Sequence, residues 1–163
     1  MTFHYPGKGI ARMTSVTERF HTMCLKLKET GFRITPQRLA VLKILAESTG
    51  HPDAREIHEK VKLDFPTTSM ATVYKTLTVL KALGEVLELE FSGDFNRYDG
   101  NRPFPHPHLI CTRCKKIIDP ALSGISDITQ KLMEETGYTI LSHRLDFYGL
   151  CPECKGERIS NIF

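Results

Sequence analysis

No run of 18 apolar residues occurs anywhere in the 163-residue sequence, so no transmembrane helix is expected. The opening MTFHYPGKGIARMTS has no apolar segment either. It is not expected to act as a secretory signal, and its Gly, Pro and basic residues read as a flexible arm over residues 1–14. Internal repeats and low-complexity tracts are absent. A strong charge excess is missing too: the net charge of +3 is too mild by itself to demand a nucleic-acid partner. Hydrophobic residues at 40% and charged residues at 25% are ordinary for a globular chain. The length admits one medium domain or two small ones.

What the chain does have is a concentration of metal-binding side chains. The stretch PHPHLICTRCKKIID, Pro105 to Asp119, packs two histidines, two cysteines and a carboxylate into fifteen residues. His106 and His108 are two apart and point the same way on an extended segment. Cys111 and Cys114 form a C-x2-C knuckle, and Cys151-Pro-Glu-Cys154 forms a second after 36 intervening residues. Two such pairs supply the four thiolates of a closed tetrahedral Zn2+ site, which is structural because it leaves no open position. The competing reading is four free or redox cysteines, but a thioredoxin-like centre uses one pair beside a βα turn. The fifth cysteine, Cys24, lies in a helical pattern and reads as a small core residue.

Nitrogen and oxygen donors are also present: His51, Asp99, His106, His108 and Asp119. Such a set suits Fe2+, Mn2+ or Zn2+. From spacing alone, surface histidines and loop aspartates are an equal alternative. His143 falls on the apolar side of a strand pattern and reads as a hydrogen-bonded core residue.

Taken in order, the periodicity predicts a helix over 15–30 with Val16, Phe20, Met23 and Leu27 inward. Thr35 caps a second helix with Pro36 at its first position, carrying Leu39, Leu42, Leu45 and Ala46. Asp53, with Glu56 three residues on, opens a third that Phe65-Pro66 ends. Ser69 caps a fourth, running to about Leu83 and closed by Gly84. Its apolar seam is Met70, Val73, Leu77 and Leu80. Ala71, Lys75 and Thr78 face away, with Thr72 and Tyr74 on the flanks. Strands over 85–91 and 95–99, joined by Ser92-Gly93-Asp94, complete the order of a winged helix-turn-helix. Arg102-Pro103-Phe104-Pro105 is a linker. Beyond it come strands 108–112 and 116–119, a helix over 122–136 with a seam of Ile125, Ile128 and Leu132, and a strand over 138–149. The expected class is therefore α+β, with a winged-helix domain over 15–100, a hinge over 101–105 and a second domain over 106–163. Residues 8–43 carry eight Lys/Arg against Glu18 and Glu29. That bias suits a phosphate-facing first third, with a solvated face carrying a chance excess as the lesser alternative.

The segments GFRITPQRLAVLKIL, HPDAREIH, SMATVYKTLTVLKALGEV, HPHLICTRCKKIID and YGLCPEC together resemble the ferric uptake regulator family of metal-dependent transcription regulators. The likeness covers about residues 18–155. It implies a cytoplasmic homodimer, an N-terminal winged helix for double-stranded DNA with a palindromic operator, and a C-terminal α/β dimerisation domain. It implies structural Zn2+ on Cys111, Cys114, Cys151 and Cys154, and a regulatory Fe2+ or Mn2+ on His51, Asp99, His106, His108 and Asp119. The aspartates at 99 and 119 look like the peroxide-sensing branch, in which His51 and His106 are the oxidation-sensitive ligands. A repressor responding to iron, manganese or zinc alone is the alternative. Pro105 and Pro107 argue against a complete extra metal site, although His143 matches one of its ligands. DNA contacts map to Arg33 in the minor groove and to Tyr74 and Lys75 in the major groove, with Ser69 and Thr72 at the same helix start. A zinc hydrolase is disfavoured, because no general base lies outside the ligand set.

Overall fold

The computed structural model describes residues 15–90, 96–122 and 124–156, with Ser126 described through its backbone alone. The expected N-terminal arm and the Ser92-Gly93-Asp94 turn lie outside the described residues. The chain divides into two compact units, one running to Phe104 and one from Pro105 onward.

In the first unit, local chemistry sets each helix start. Helix α1, Val16–Glu29, begins in a full capping box: Ser15 Oγ accepts from the Glu18 N–H, and a Glu18 carboxylate oxygen accepts from the Ser15 N–H. Helix α2, Pro36–Glu47, is capped by Thr35. Helix α3, Ala54–Asp64, has a second capping box, Asp53 with Glu56. Helix α4, Met70–Ala82, is capped by Ser69. Each cap satisfies a backbone donor that the helix leaves orphaned.

The four helices bury one apolar cluster. Met23 and Leu27 come from α1, Val41, Leu42 and Leu45 from α2, Ile57 and Val61 from α3, and Val73, Leu77 and Leu80 from α4. Each such side chain stabilises the unit by about 1.5–3 kcal/mol. Strands β1 (Leu87–Leu89) and β2 (Arg97–Asp99) pair antiparallel as the wing, Leu87 opposite Asp99. Both are shorter than the expected runs. The loop after α2 adds a further rung: the Tyr98 N–H donates to Pro52 O at 3.0 Å, and Asp53 bridges to Arg97. The helices and hairpin form a winged helix-turn-helix.

One expectation for α1 fails. Val16 is exposed, and Arg19 is buried in its stead. The Arg19 guanidinium pairs with the Glu85 carboxylate and backbone oxygen, and its Nε donates to Gly100 O at 2.6 Å. Lys26 Nζ adds a second cation 3.2 Å from Glu85. Glu85, expected at the start of a strand, is thus a buried partner of α1, and Arg19 ties that helix both to the chain just after α4 and to the end of the wing. Gly100 has no room for a side chain: a Cβ there would lie 2.7 Å from Leu45 Cβ and 2.9 Å from Met23 Cε.

The second unit is a small α/β layer. Strand β3 (Pro107–Cys111) is central. It pairs antiparallel with β4 (Ile117–Ile118) and parallel with β5 (Leu145–Gly149). Helix α5, Ile125–Thr136, makes the crossover, flanked by Gly124 and Gly137 in left-handed conformation. A short α6, Pro152–Gly156, follows. The expected strand over 138–149 is real only from Leu145. A strand needs a ladder, and five-residue β3 supplies a register only from Pro107–Leu145 to Cys111–Gly149. His143 therefore lies before the strand, half-buried, and not on a sheet face.

Candidate metal centres and nucleic-acid interface

The parallel register brings the two cysteine knuckles together. Cys111 ends β3 opposite Gly149, two residues before Cys151, so adjacent strands deliver both knuckles at the same end of the sheet. The four sulfurs of Cys111, Cys114, Cys151 and Cys154 lie within 4.8 Å of one another. Cys114 and Cys151 are 3.7 Å apart, sulfur to sulfur. A disulfide requires about 2.05 Å, whereas four sulfurs about 2.3 Å from a tetrahedral zinc stand about 3.8 Å apart. Backbone N–H groups turn inward on the cluster, with Cys151 donating to Cys111 Sγ and Cys154 to Cys151 Sγ, both at 3.4 Å. Hydrogen bonds from the Cys114 and then the Cys151 backbone hold the Cys111 thiol down at about 6, while its bond to Glu153 pushes Cys151 up to about 12. Four sulfurs so close together are a ready-made set for a cation that would hold them as thiolates, and the donor set fits Zn2+.

Each unit, taken by itself, contains a pairing of nitrogen and oxygen donors. In the first, His51 Nε2 stands 3.4 Å from Asp99 Oδ2. The sequence builds this pair locally. His51 adopts a left-handed backbone, φ +51°, just ahead of Pro52, whose carbonyl is bonded to the wing. Asp99 ends β2, and its Oδ1 accepts from the Asn101 and Arg102 N–H groups at 2.9 Å each. That turn fixes the carboxylate with its other oxygen toward His51.

In the second unit, His106 Nε2 is 3.4 Å from Asp119 Oδ2, and the His106 and His108 rings are centred 4.4 Å apart. His106 and His108 are both buried. Donors held about 2.0–2.2 Å from one ion stand roughly 3–3.5 Å from each other, the separation both His–Asp pairs already have. His108 has a neighbour that the sequence reading missed: its Nδ1 is 3.3 Å from Asp146 Oδ1. The only hint in the sequence was an acid among apolar residues late in the chain. Which histidine it meets depends on the β3–β5 register.

Helix α4 presents the small, hydroxylated and basic face expected of it. Val73, Thr76, Leu77 and Leu80 are buried, and Ala71, Tyr74, Lys75 and Thr78 are exposed. Ser69 and Thr72 serve the helix end: their hydroxyls are 3.0 Å apart, and the Thr72 N–H donates to Ser69 Oγ. His58 Nε2 lies 2.8 Å from Thr68 O and anchors the turn between α3 and α4. Arg33 is exposed in the α1–α2 loop. The second unit shows a different surface. On α5, Ile128 is 59% and Leu132 47% exposed, and Phe147 and Tyr148 of β5 are open as well.

The description of the ferric uptake regulator family matches residues 29–148. The chain belongs to the ferric uptake regulator family. A peroxide-responsive repressor from Staphylococcus epidermidis is 36% identical over 147 residues, spanning 90% of this chain and 97% of that one. Among solved structures, the ferric uptake regulator of Helicobacter pylori, described as having three functional metal binding sites, aligns at a TM-score of 0.76 and 25% identity, over 91% of this chain and 99% of that one. The iron-bound regulator of Francisella tularensis aligns at 0.65 and 27% identity, over 77% and 96%. Members of the family are DNA-binding dimeric regulators. This member is a metal-dependent transcriptional repressor and not an enzyme. Its metal sites are a four-cysteine site of the structural-zinc type and a His/Asp regulatory site. No helix among the described residues is long and apolar enough to cross a membrane.

Proposed function

We propose that the protein is a cytoplasmic, peroxide-responsive repressor that binds a palindromic operator as a homodimer when its regulatory metal is bound. Cys111, Cys114, Cys151 and Cys154 hold the structural zinc. His51, Asp99, His106, His108 and Asp119 hold the regulatory ion, and Arg33, Ser69, Thr72, Tyr74 and Lys75 form the DNA-facing set. The observation that carries the reading is that each unit owns a His–Asp pair with facing Nε2 and carboxylate oxygen 3.4 Å apart. An ion drawing on both pairs would fix the hinge at 101–105. A dimer must present its recognition helices about 34–36 Å apart to enter successive major grooves, so ion binding selects the shape competent for DNA.

Fe2+ held by His51, Asp99, His106, His108 and Asp119 would lend the electron that opens the peroxide O–O bond and recover it as the ring is oxidised. The protein's part is to hold His51 and His106 beside the ion. In net terms, a ring carbon–hydrogen bond would give way to a carbon–oxygen bond, with peroxide as the two-electron oxidant and its second oxygen leaving as water. Aspartate at 99 and 119, with the 36% identical peroxide-responsive relative, supports this over a plain metal sensor. The exposed apolar side chains Ile128 and Leu132 of α5 and Phe147 of β5 support a partner subunit on the second unit.

Two measurements test the reading. Operator affinity at fixed salt should rise on adding Mn2+; equal affinities would remove the metal requirement. Peroxide treatment of the anaerobic Fe2+ form should add one oxygen to the His51 or His106 peptide, whereas unmodified peptides would leave a repressor of the iron- or manganese-responsive kind.

A further inference from the structure

The β3–β5 register places Asp146 directly opposite His108. Their side chains meet: Asp146 Oδ1 lies 3.3 Å from His108 Nδ1, and both side chains are buried. The other carboxylate oxygen is held by Arg144, whose Nε donates to Asp146 Oδ2 at 2.5 Å. Arg144 is two residues back and itself exposed, so the carboxylate is clamped on one side by a cation and turned on the other toward the ring. Asp146 stands on the strand neighbouring the histidine-bearing one, 38 positions from His108 in the sequence.

A neutral imidazole carries its proton on one nitrogen and its lone pair on the other. A carboxylate beside Nδ1 favours the proton there, which leaves Nε2 as the ligand atom and fixes the plane of the ring. A buried carboxylate without such a task is costly, and Arg144 alone could be satisfied by water. From this geometry we infer that Asp146 is a positioning residue for the regulatory metal site, setting the tautomer and orientation of His108. The inference rests on His108 being a ligand, as proposed above. The carboxylate also makes the imidazole more basic, so the same contact strengthens the bond His108 gives to a divalent ion.

The test uses the full-length, zinc-loaded protein and Mn2+ as the probe. In the metal-free wild type, 15N imidazole shifts should report His108 as the Nδ1–H tautomer. Asp146→Ala should weaken Mn2+ binding about 10- to 100-fold while the zinc stoichiometry and melting temperature hold. Asp146→Asn should recover only part of that loss, because its single amide oxygen can accept the Nδ1 proton only by turning the NH2 toward Arg144. His108→Ala serves as the reference for the ligand itself. Wild-type Mn2+ affinity in D146A beside a large loss in H108A would overturn the positioning role and leave the ligand assignment standing. Wild-type affinity in H108A would overturn the ligand assignment instead. An Nε2–H tautomer in the wild type would end the inference without any variant.

Discussion

The two units solve the problem of stability differently. The first buries Met23, Leu27, Leu42, Leu45, Ile57, Leu77 and Leu80 completely, and four capped helices close around them. The second buries Ile110, Cys111 and Ile117 but leaves Leu122, Ile128, Leu132, Tyr138, Leu141 and Tyr148 exposed. Its three-stranded sheet is small, and its strongest cross-chain feature is the cysteine cluster. A layer of this size cannot bury enough apolar surface alone and needs a staple or a partner. The first unit is therefore held by the hydrophobic effect, and the second, on the function proposed above, would draw on metal and a partner subunit. On that proposal the part that faces DNA keeps its shape while the part that assembles depends on what binds it.

Stripping zinc should break the contrast most visibly. A structural zinc is worth on the order of 10 kcal/mol of folding free energy. A Cys114→Ser chain should lose hydrogen-exchange protection over residues 105–156 and dissociate, with α1–α4 still protected. Protection of β3 and β5 without zinc would refute the staple.

Next comes Arg19→Ala, which leaves the Glu85 carboxylate buried beside Lys26 alone. Removing one partner of a buried pair costs about 3–5 kcal/mol, read as a lower denaturation midpoint of the first unit. A loss below about 1 kcal/mol would show that the pair is hydrated.

Leu45→Ala sharpens the claim about the core. It should cost about 2–5 kcal/mol, because Leu45 is fully buried in the apolar cluster of the four helices. Chemical denaturation measures it.

The smallest effect on the folded subunit should come from Leu132→Ala. At 47% exposure, the change should move subunit stability by less than about 0.5 kcal/mol yet weaken the dimer in sedimentation. A large drop in subunit stability with the dimer intact would place Leu132 in an internal core and erase the difference between the units.

Legibility followed the range of the interactions. Ser15, Thr35, Asp53 and Ser69 mark their helix starts because a cap is a contact across two or three residues. The cysteine knuckles were legible for the same reason, and the α4 seam followed from its 3.6-residue period. The Val16 position misled because α1 presents Arg19 to a buried anion 66 residues away, and periodicity has no sign for that. The long last strand misled because alternation can mark extended chain, while only a partner makes it a sheet.

The sequence by itself determined the helices, the four zinc thiolates and the choice of nitrogen and oxygen donors, since these are set by residue type and short spacing. Only the tertiary structure decided that β3 and β5 lie parallel in one register. From that register follow the convergence of the two knuckles and the meeting of His108 with Asp146, because the pairing of distant strands is settled by packing across the whole layer and leaves no local trace.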